Sequence, residues 1–458
     1  MLKRVLSLSA FFLLIGLMPA YAVRLDISAD AAFKFNHYSN LIYGEDLYNS
    51  SFISEKTRLG FYVSGMELEN MPDSSLDIGV SLQSISGLSA DKLSKMPALA
   101  QPQESYPSEN SIPYIQEAYF SIDNLLSPKL SAVIGRQNFS LGQGIALGSD
   151  NIGFSGLLVK AKDLFWGYGA ELFYFNPSRY DADFTASPSG VKISKSERKY
   201  HVYGAAIDNK TEEGQWQIYH FYQHYGDSSE YSMGGNSVSE TRAFSGIRYA
   251  MKKKHISFDG EVSVQGGNAD LSSGGKGDFS GYAFMMKGSW EQGIYIFDNV
   301  KLRLAYGRSS SASYDEGGTA STDKDSAFYA ALGSRYNGFS RSGYGAIAGA
   351  SVYGINPSSK TANGLPDGVS ALSVVNVGAD IPFKKIVFSA DYYKFKADYI
   401  NAVSRITVAD EVDLRLLCPL GKSLSLELLY AYFSPGEMIF GEDARKTSFA
   451  SFSVNAKF

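Results

Sequence analysis

Beyond its first two dozen residues the sequence has no long hydrophobic run. A membrane helix needs about 18 consecutive apolar residues, so helical membrane spans are excluded there. Cysteine is nearly absent, and a lone Cys418 excludes an intrachain disulfide. Neither sign of charge dominates: 42 Lys and Arg stand against 47 Asp and Glu. That balance gives no reason to expect a nucleic-acid partner. No phosphate-cradling loop, redox motif or nucleophile elbow is present. The stretches 89–95, 226–230 and 321–326 hold oxygen donors without calcium-loop spacing. Neither a metal nor a cofactor is expected, and no enzyme activity. Histidines number five. His220 and His224 share a strand face near Asp227, yet lie too far apart for one to orient the other. They read as rim or aromatic-belt residues.

What the chain has in quantity is aromatic residues and glycine: 31 Tyr, 29 Phe and 45 Gly. Its first residues have the pattern of a secretory signal peptide: basic Lys3 and Arg4, an apolar stretch over 5–18, Pro19, then Ala20-Tyr21-Ala22. Cleavage after Ala22 would leave one domain over 23–458. At the other end, Ala450, Phe452, Val454, Ala456 and Phe458 share one parity, and Ser451, Ser453, Asn455 and Lys457 the other. Alternate side chains of a strand point to opposite faces, so this strand has one apolar and one polar face. It resembles the closing strand of bacterial outer-membrane barrels. Phe452, Val454 and Phe458 then form the barrel-terminal signal. That implies outer-membrane lipid and the outer-membrane assembly machinery as partners.

Period-2 segments recur along the whole chain. They fall near 24–36, 55–66, 75–86, 113–123, 129–139, 153–162, 167–177, 199–208, 214–226, 239–251, 254–266, 279–290, 299–309, 370–381, 385–398, 405–418, 422–434 and 447–458. The expected fold is all-β: a transmembrane antiparallel barrel of about eighteen strands, an even number as single-chain bacterial barrels have. Twenty is the alternative, because 310–369 contains the strand-like GYGAIAGASVYGI. Short connections at 67–75, 123–129, 162–167, 208–214, 381–385 and 419–422 alternate with long polar ones at 37–54, 87–112, 178–198, 227–238, 267–278 and 310–369. Short periplasmic turns and long outer loops are the barrel pattern, with both termini periplasmic.

Parity assigns faces. Val300, Leu302, Leu304 and Tyr306 point to lipid, as do Ile256, Phe258, Val262, Val264, Val412, Leu414 and Leu416. An Arg or Lys facing lipid at the midplane costs about 2–4 kcal/mol, so charged residues are read as inward. The inward cations are Arg58, Arg136, Lys160, Arg242, Arg248, Lys287, Lys301, Arg303 and Arg415. The inward acids are Asp77, Glu117, Glu171, Asp259, Glu261, Asp391, Glu411, Asp413 and Glu427. These can neutralise one another or line a transport path. The candidate pore residues are Arg58, Glu117, Arg136, Arg248, Arg303, Glu411, Asp413 and Arg415. Tyr62, Tyr119 and Tyr219 would add aromatic faces.

Two stretches resemble a known family. Residues 115–162 carry Glu117, Tyr119, Gly135-Arg136-Gln137, Gly142, Phe154 and Gly156, and residues 409–437 carry Glu411, Asp413, Phe433, Pro435 and Gly436. Both are similar to the alginate-export family of outer-membrane barrels. The resemblance implies an eighteen-stranded barrel. In the family's namesake it implies export of an anionic polysaccharide through an arginine-rich constriction, with Arg136 the one arginine matched in its motif. The expected function is a monomeric outer-membrane channel passing small solutes or saccharides. The alternatives are a dedicated exporter of an anionic exopolysaccharide, or a closed structural or adhesive barrel working through the 310–369 loop.

Overall fold

A computed structural model describes residues 23–43, 46–88, 113–149, 153–164, 166–176, 200–225, 237–271, 274–294, 297–310, 324–326, 328, 345–347, 369–400, 403–436 and 445–458. The signal-peptide segment and most of the long connections lie outside these residues. The described elements are all strands: β1 (Arg24–Tyr43), β2 (Asp46–Leu68), β3 (Met71–Leu88), β4 (Tyr114–Asp123), β5 (Leu130–Gln137), β6 (Phe154–Ala161), β7 (Tyr168–Phe175), β8 (Tyr200–Lys210), β9 (Gly214–Tyr225), β10 (Ser237–Lys253), β11 (Ile256–Leu271), β12 (Lys276–Ile294), β13 (Phe297–Ser309), β14 (Lys324–Asp325), β15 (Val369–Phe383), β16 (Ile386–Ile400), β17 (Val403–Pro419), β18 (Leu424–Pro435) and β19 (Thr447–Lys457).

Eighteen of these form the wall. Each pairs antiparallel with its neighbours in chain order, and β13 pairs directly with β15. The two-residue β14 instead lies parallel to the outer end of β12. The ring closes where β19 pairs with β1, from Asp30 opposite Lys457 to Ser39 opposite Ser448. Phe458 completes the seam, exchanging backbone hydrogen bonds with Ala29 at 2.8 and 3.1 Å. Closure gives each of the eighteen wall strands a partner on both sides, which a lipid environment demands. Every one of the eighteen expected segments overlaps one wall strand.

Alternation dictates the two faces. Ile27, Phe35, Ile134, Leu172, Ile218, Ile247, Leu304, Val377 and Leu428 are exposed on the outside, where lipid replaces water. Val300 is nearly covered at the base of β13. Residues between these point inward: Lys34, Asn36, Glu261, Ser263, Glu411 and Ser453 are all buried. On β19 the expected parity holds, with Ser451 and Ser453 buried inside and Phe458 exposed.

Two expected loops are instead strand. Most of 37–54 belongs to β1 and β2, which run on to Tyr43 and from Asp46. Most of 267–278 extends β11 and β12, paired from Gly267 opposite Phe279 to Asp270 opposite Lys276. The ladder continues past the membrane, where both faces meet water and the apolar alternation that marks a strand disappears. Wall height is therefore uneven. β2 has 23 residues, whereas β5, β6 and β7 have 8 each.

Candidate functional site

The candidate site is the lumen, and many of its charges neutralise one another within a strand or across one or two strand spacings. Arg58 Nη2 donates to Glu117 at 3.0 Å and Arg58 Nε to Ser81 Oγ at 2.8 Å. Arg248 forms a two-pronged pair with Asp259, at 2.8 and 2.7 Å. Arg303 is held between Asp380 and Asp391, at 3.0 and 2.8 Å. Lys160 meets Glu171 at 3.3 Å, and Arg415 meets Glu427 more loosely at 3.9 Å. Arg242 lies beside Glu240 at 2.8 Å and over the Phe279 ring at 4.4 Å. An arginine fork fixed in this way offers fewer donors to a passing solute.

Arg136 requires correction. It is opposite Ala118 and Ser155, on the row that two residues further along carries Phe120, Ile134 and Leu157, all exposed to lipid. The inward position belongs to Gln137, which is buried and donates to the Val133 carbonyl at 3.2 Å. Arg136 is the next-to-last residue of β5. The lipid penalty used to place arginines inward falls to roughly 0–1 kcal/mol near the interface, so it does not decide the facing at a strand end.

Residues 138–149 fold into the barrel as a small hairpin. Leu141 N donates to Leu147 O at 2.9 Å, and Ser149 N to Phe139 O at 2.9 Å. Its tip seats on the wall at β9, β10 and β11. Gly142 N donates to Gln217 at 2.7 Å, and Gly142 O accepts from Arg248 at 2.9 Å. Gln143 N donates to Glu261, whose other oxygen accepts the Tyr219 hydroxyl at 2.6 Å. Gly142 has φ +59, and a Cβ there would meet the Glu261 carboxyl at 2.3 Å. Only glycine combines that left-handed backbone with so close an approach.

Behind the tip is an apolar patch that parity reasoning did not anticipate. Phe139, Leu141, Ala146 and Leu147 pack on Phe154, Leu158, Phe173, Phe175, Val202, Tyr219, Phe221 and Phe244. Phe221 and Phe244 stack at 4.7 Å, and Phe139 sits 4.8 Å from Phe173. The sequence signal was available in Leu172-Phe173-Tyr174-Phe175. Consecutive large apolar residues on a strand mean that both faces are covered.

A second inward segment, Gly345–Ile347, seats against β17. Ala346 N donates to Asp413 at 2.9 Å and Ile347 N to Glu411 at 2.6 Å. Gly345 has φ +77, with the Glu411 carboxyl 2.5 Å from where a Cβ would stand. Glu411 and Asp413 are thus loop anchors as well as inward acids. These three residues are not strand, which removes the hairpin proposed there at 345–347; the rest of that stretch lies outside the described residues.

Between the two seats and the periplasmic turns lies a cavity of about 760 Å³. It is lined by both signs of charge, among them Lys34, Lys287, Arg303, Asp391, Asp413 and Glu427. The histidines lie elsewhere. His37, His201, His220 and His224 share the outward parity and bond to Ser51, Tyr174, Ser245 and Thr241 across neighbouring strands. Of the acid-rich stretches, only 324–326 falls among the described residues.

A closed barrel with a lipid-facing exterior and a charged lumen narrowed by inward loops defines an outer-membrane channel. The chain belongs to the alginate export family, whose model matches residues 88–334. No curated protein matches it. Among solved structures it is similar to Pseudomonas aeruginosa OccK9 (OpdG), at 10% identity and TM-score 0.56, covering 95% of this chain and 98% of that one. Acinetobacter baumannii OccAB4 is similar at 11% identity and TM-score 0.53, with coverage of 94% and 98%. The outer membrane protein OpdK from Pseudomonas aeruginosa is similar at 11% identity and TM-score 0.51, again over 94% and 98%. At these identities the likeness is one of fold.

Proposed function

We propose that the protein is a passive, monomeric channel for small polar solutes or short saccharides, exported to the outer membrane after cleavage at Ala22. The cavity of about 760 Å³ inside the barrel carries this reading. Its volume suits a small ligand, and barrels of 16–18 strands enclose an aqueous path. The pairing of Arg58, Arg248 and Arg303 with carboxylates argues against a ring of free arginines gripping a long polyanion. The family favours saccharides among the solutes. Seating of both loop segments inside the lumen supports a second reading, a closed barrel acting through its outer surface.

Current through folded barrel in a planar bilayer with KCl tests this, followed by neutral and anionic oligosaccharides. A steady current that short sugars of either kind partly block is expected. Block by anionic oligomers alone would favour the exopolysaccharide exporter. No current from demonstrably folded protein would overturn the channel and leave the closed barrel.

A further inference from the structure

We propose that the periplasmic half of the lumen holds a subsite for solutes carrying both a carboxylate and an ammonium group. Lys34 takes the carboxylate and Asp413 the ammonium. The proposal rests on the channel reading and names the solute class for it.

Two groups lining the cavity are more than nine-tenths buried, and each keeps a polar atom without a hydrogen-bond partner among the described residues: the Lys34 amine and Asp413 Oδ1. Lys34 is 8% exposed, points inward from β1, and makes no hydrogen bond or ion pair through its amine among the described residues. The face of Phe449 lies 5.2 Å from the ammonium, and the carboxylates of Glu427 and Asp413 act on it across the cavity without bonding it. Asp413 is also 8% exposed. Its Oδ2 accepts the Ala346 N–H, and its Oδ1 has no partner. Both residues border the same cavity yet do not bond each other.

A buried charge without a partner is costly, and other charges of this lumen, such as Arg58, Arg248 and Arg303, avoid that cost by pairing with carboxylates one or two strands away. Lys34 and Asp413 are on β1 and β17, with β18 and β19 between them. Three strand spacings, about 14 Å along the wall, separate the two strands, and the two side chains form no direct ion pair. A simple anion would satisfy Lys34 and leave Asp413 Oδ1 bare; a simple cation would do the reverse. A solute with both charges satisfies both ends, and Phe449 offers an apolar surface beside the ammonium. The nearby Arg415 and Glu427, held at 3.9 Å, can admit the same solute by parting.

The test uses the full folded barrel in planar bilayers at constant ionic strength. The probes are γ-aminobutyrate and 5-aminopentanoate, with pentanoate and pentylamine as one-ended analogues. At least one amino acid should block the current at about a tenfold lower concentration than either analogue, the factor one charge-assisted hydrogen bond supplies. Lys34→Met should abolish the advantage over pentylamine. It removes an unpaired buried charge, so the barrel should remain folded. Asp413→Asn keeps an oxygen for the Ala346 N–H and should abolish the advantage over pentanoate. Equal block by all four probes in a conducting channel would overturn the subsite and leave the channel standing. With no current, the channel reading falls, and calorimetric titration of detergent-folded barrel with the same probes decides the subsite. A tenfold preference there would uphold it, and equal binding would overturn it.

Discussion

The two inward loop segments are held by the same chemistry, yet the described residues give them different support. At each, a glycine with positive φ lets backbone N–H groups reach a wall carboxylate: Gly142 beside Glu261, and Gly345 beside Glu411. The acids mirror each other in sequence, Asp259-Gly-Glu261 on β11 and Glu411-Val-Asp413 on β17. Around the first seat, the hairpin bonds itself at 141–147 and 139–149 and lays Phe139, Leu141 and Leu147 on an aromatic wall. The described contacts of the second are two N–H bonds and the buried Ile347. The first latch is backed by hydrophobic burial; the described bonds of the second go to carboxylates, while Phe328 of the same connection is buried against Phe244 in the first loop's aromatic patch.

The largest test of that contrast removes the aromatic support. Phe221 is fully buried between Phe244 and Phe173 beneath the first loop. Phe221→Ala should cost about 3–5 kcal/mol, as truncation of a buried aromatic does. Denaturant unfolding of the barrel in lipid vesicles measures this. A loss below about 1 kcal/mol would mean that the patch is loosely packed and the first loop no better supported than the second.

Next in size is a change at the first latch. Gly142→Val forces a β-branched residue into the left-handed region, costing about 1–2 kcal/mol before any collision. Its side chain would also press on the Glu261 carboxyl. The hairpin tip should leave its seat while the aromatic packing holds its base, so single-channel conductance should rise. Unchanged conductance would mean that the tip does not narrow the path.

Why one seat was more legible than the other follows from where periodicity operates. The strands announced themselves through alternation, and the wall acids Glu261, Glu411 and Asp413 were placed inward on the same ground. What those acids hold was not legible. A loop's N–H groups carry no side-chain signature, and a lumen expected to be polar gave no place to Phe173, Phe175, Phe221 and Phe244. Gly142 was visible within its motif, but its role needs Glu261, 119 residues further along the chain, to be beside it. Arg136 failed for a related reason. Its motif marked the position, while the facing at a strand end depends on the register set by Ala118 and Ser155.

The smallest expected effect on stability falls at the second latch, and it separates the two seats most cleanly. Glu411→Gln with Asp413→Asn retains an acceptor oxygen at each position, so both backbone N–H bonds can re-form with neutral partners. Neutral hydrogen bonds are roughly half as strong as charge-assisted ones. The seat should weaken by about 1–2 kcal/mol in total, most of it felt as opening of the segment and little as unfolding of the wall. Unfolding free energy should then stay within experimental scatter of the parent, while the current shows more frequent or longer open intervals. If the double variant instead lowers barrel stability as much as Phe221→Ala, Gly345–Ile347 is a structural part of the wall, and the contrast between the two latches fails.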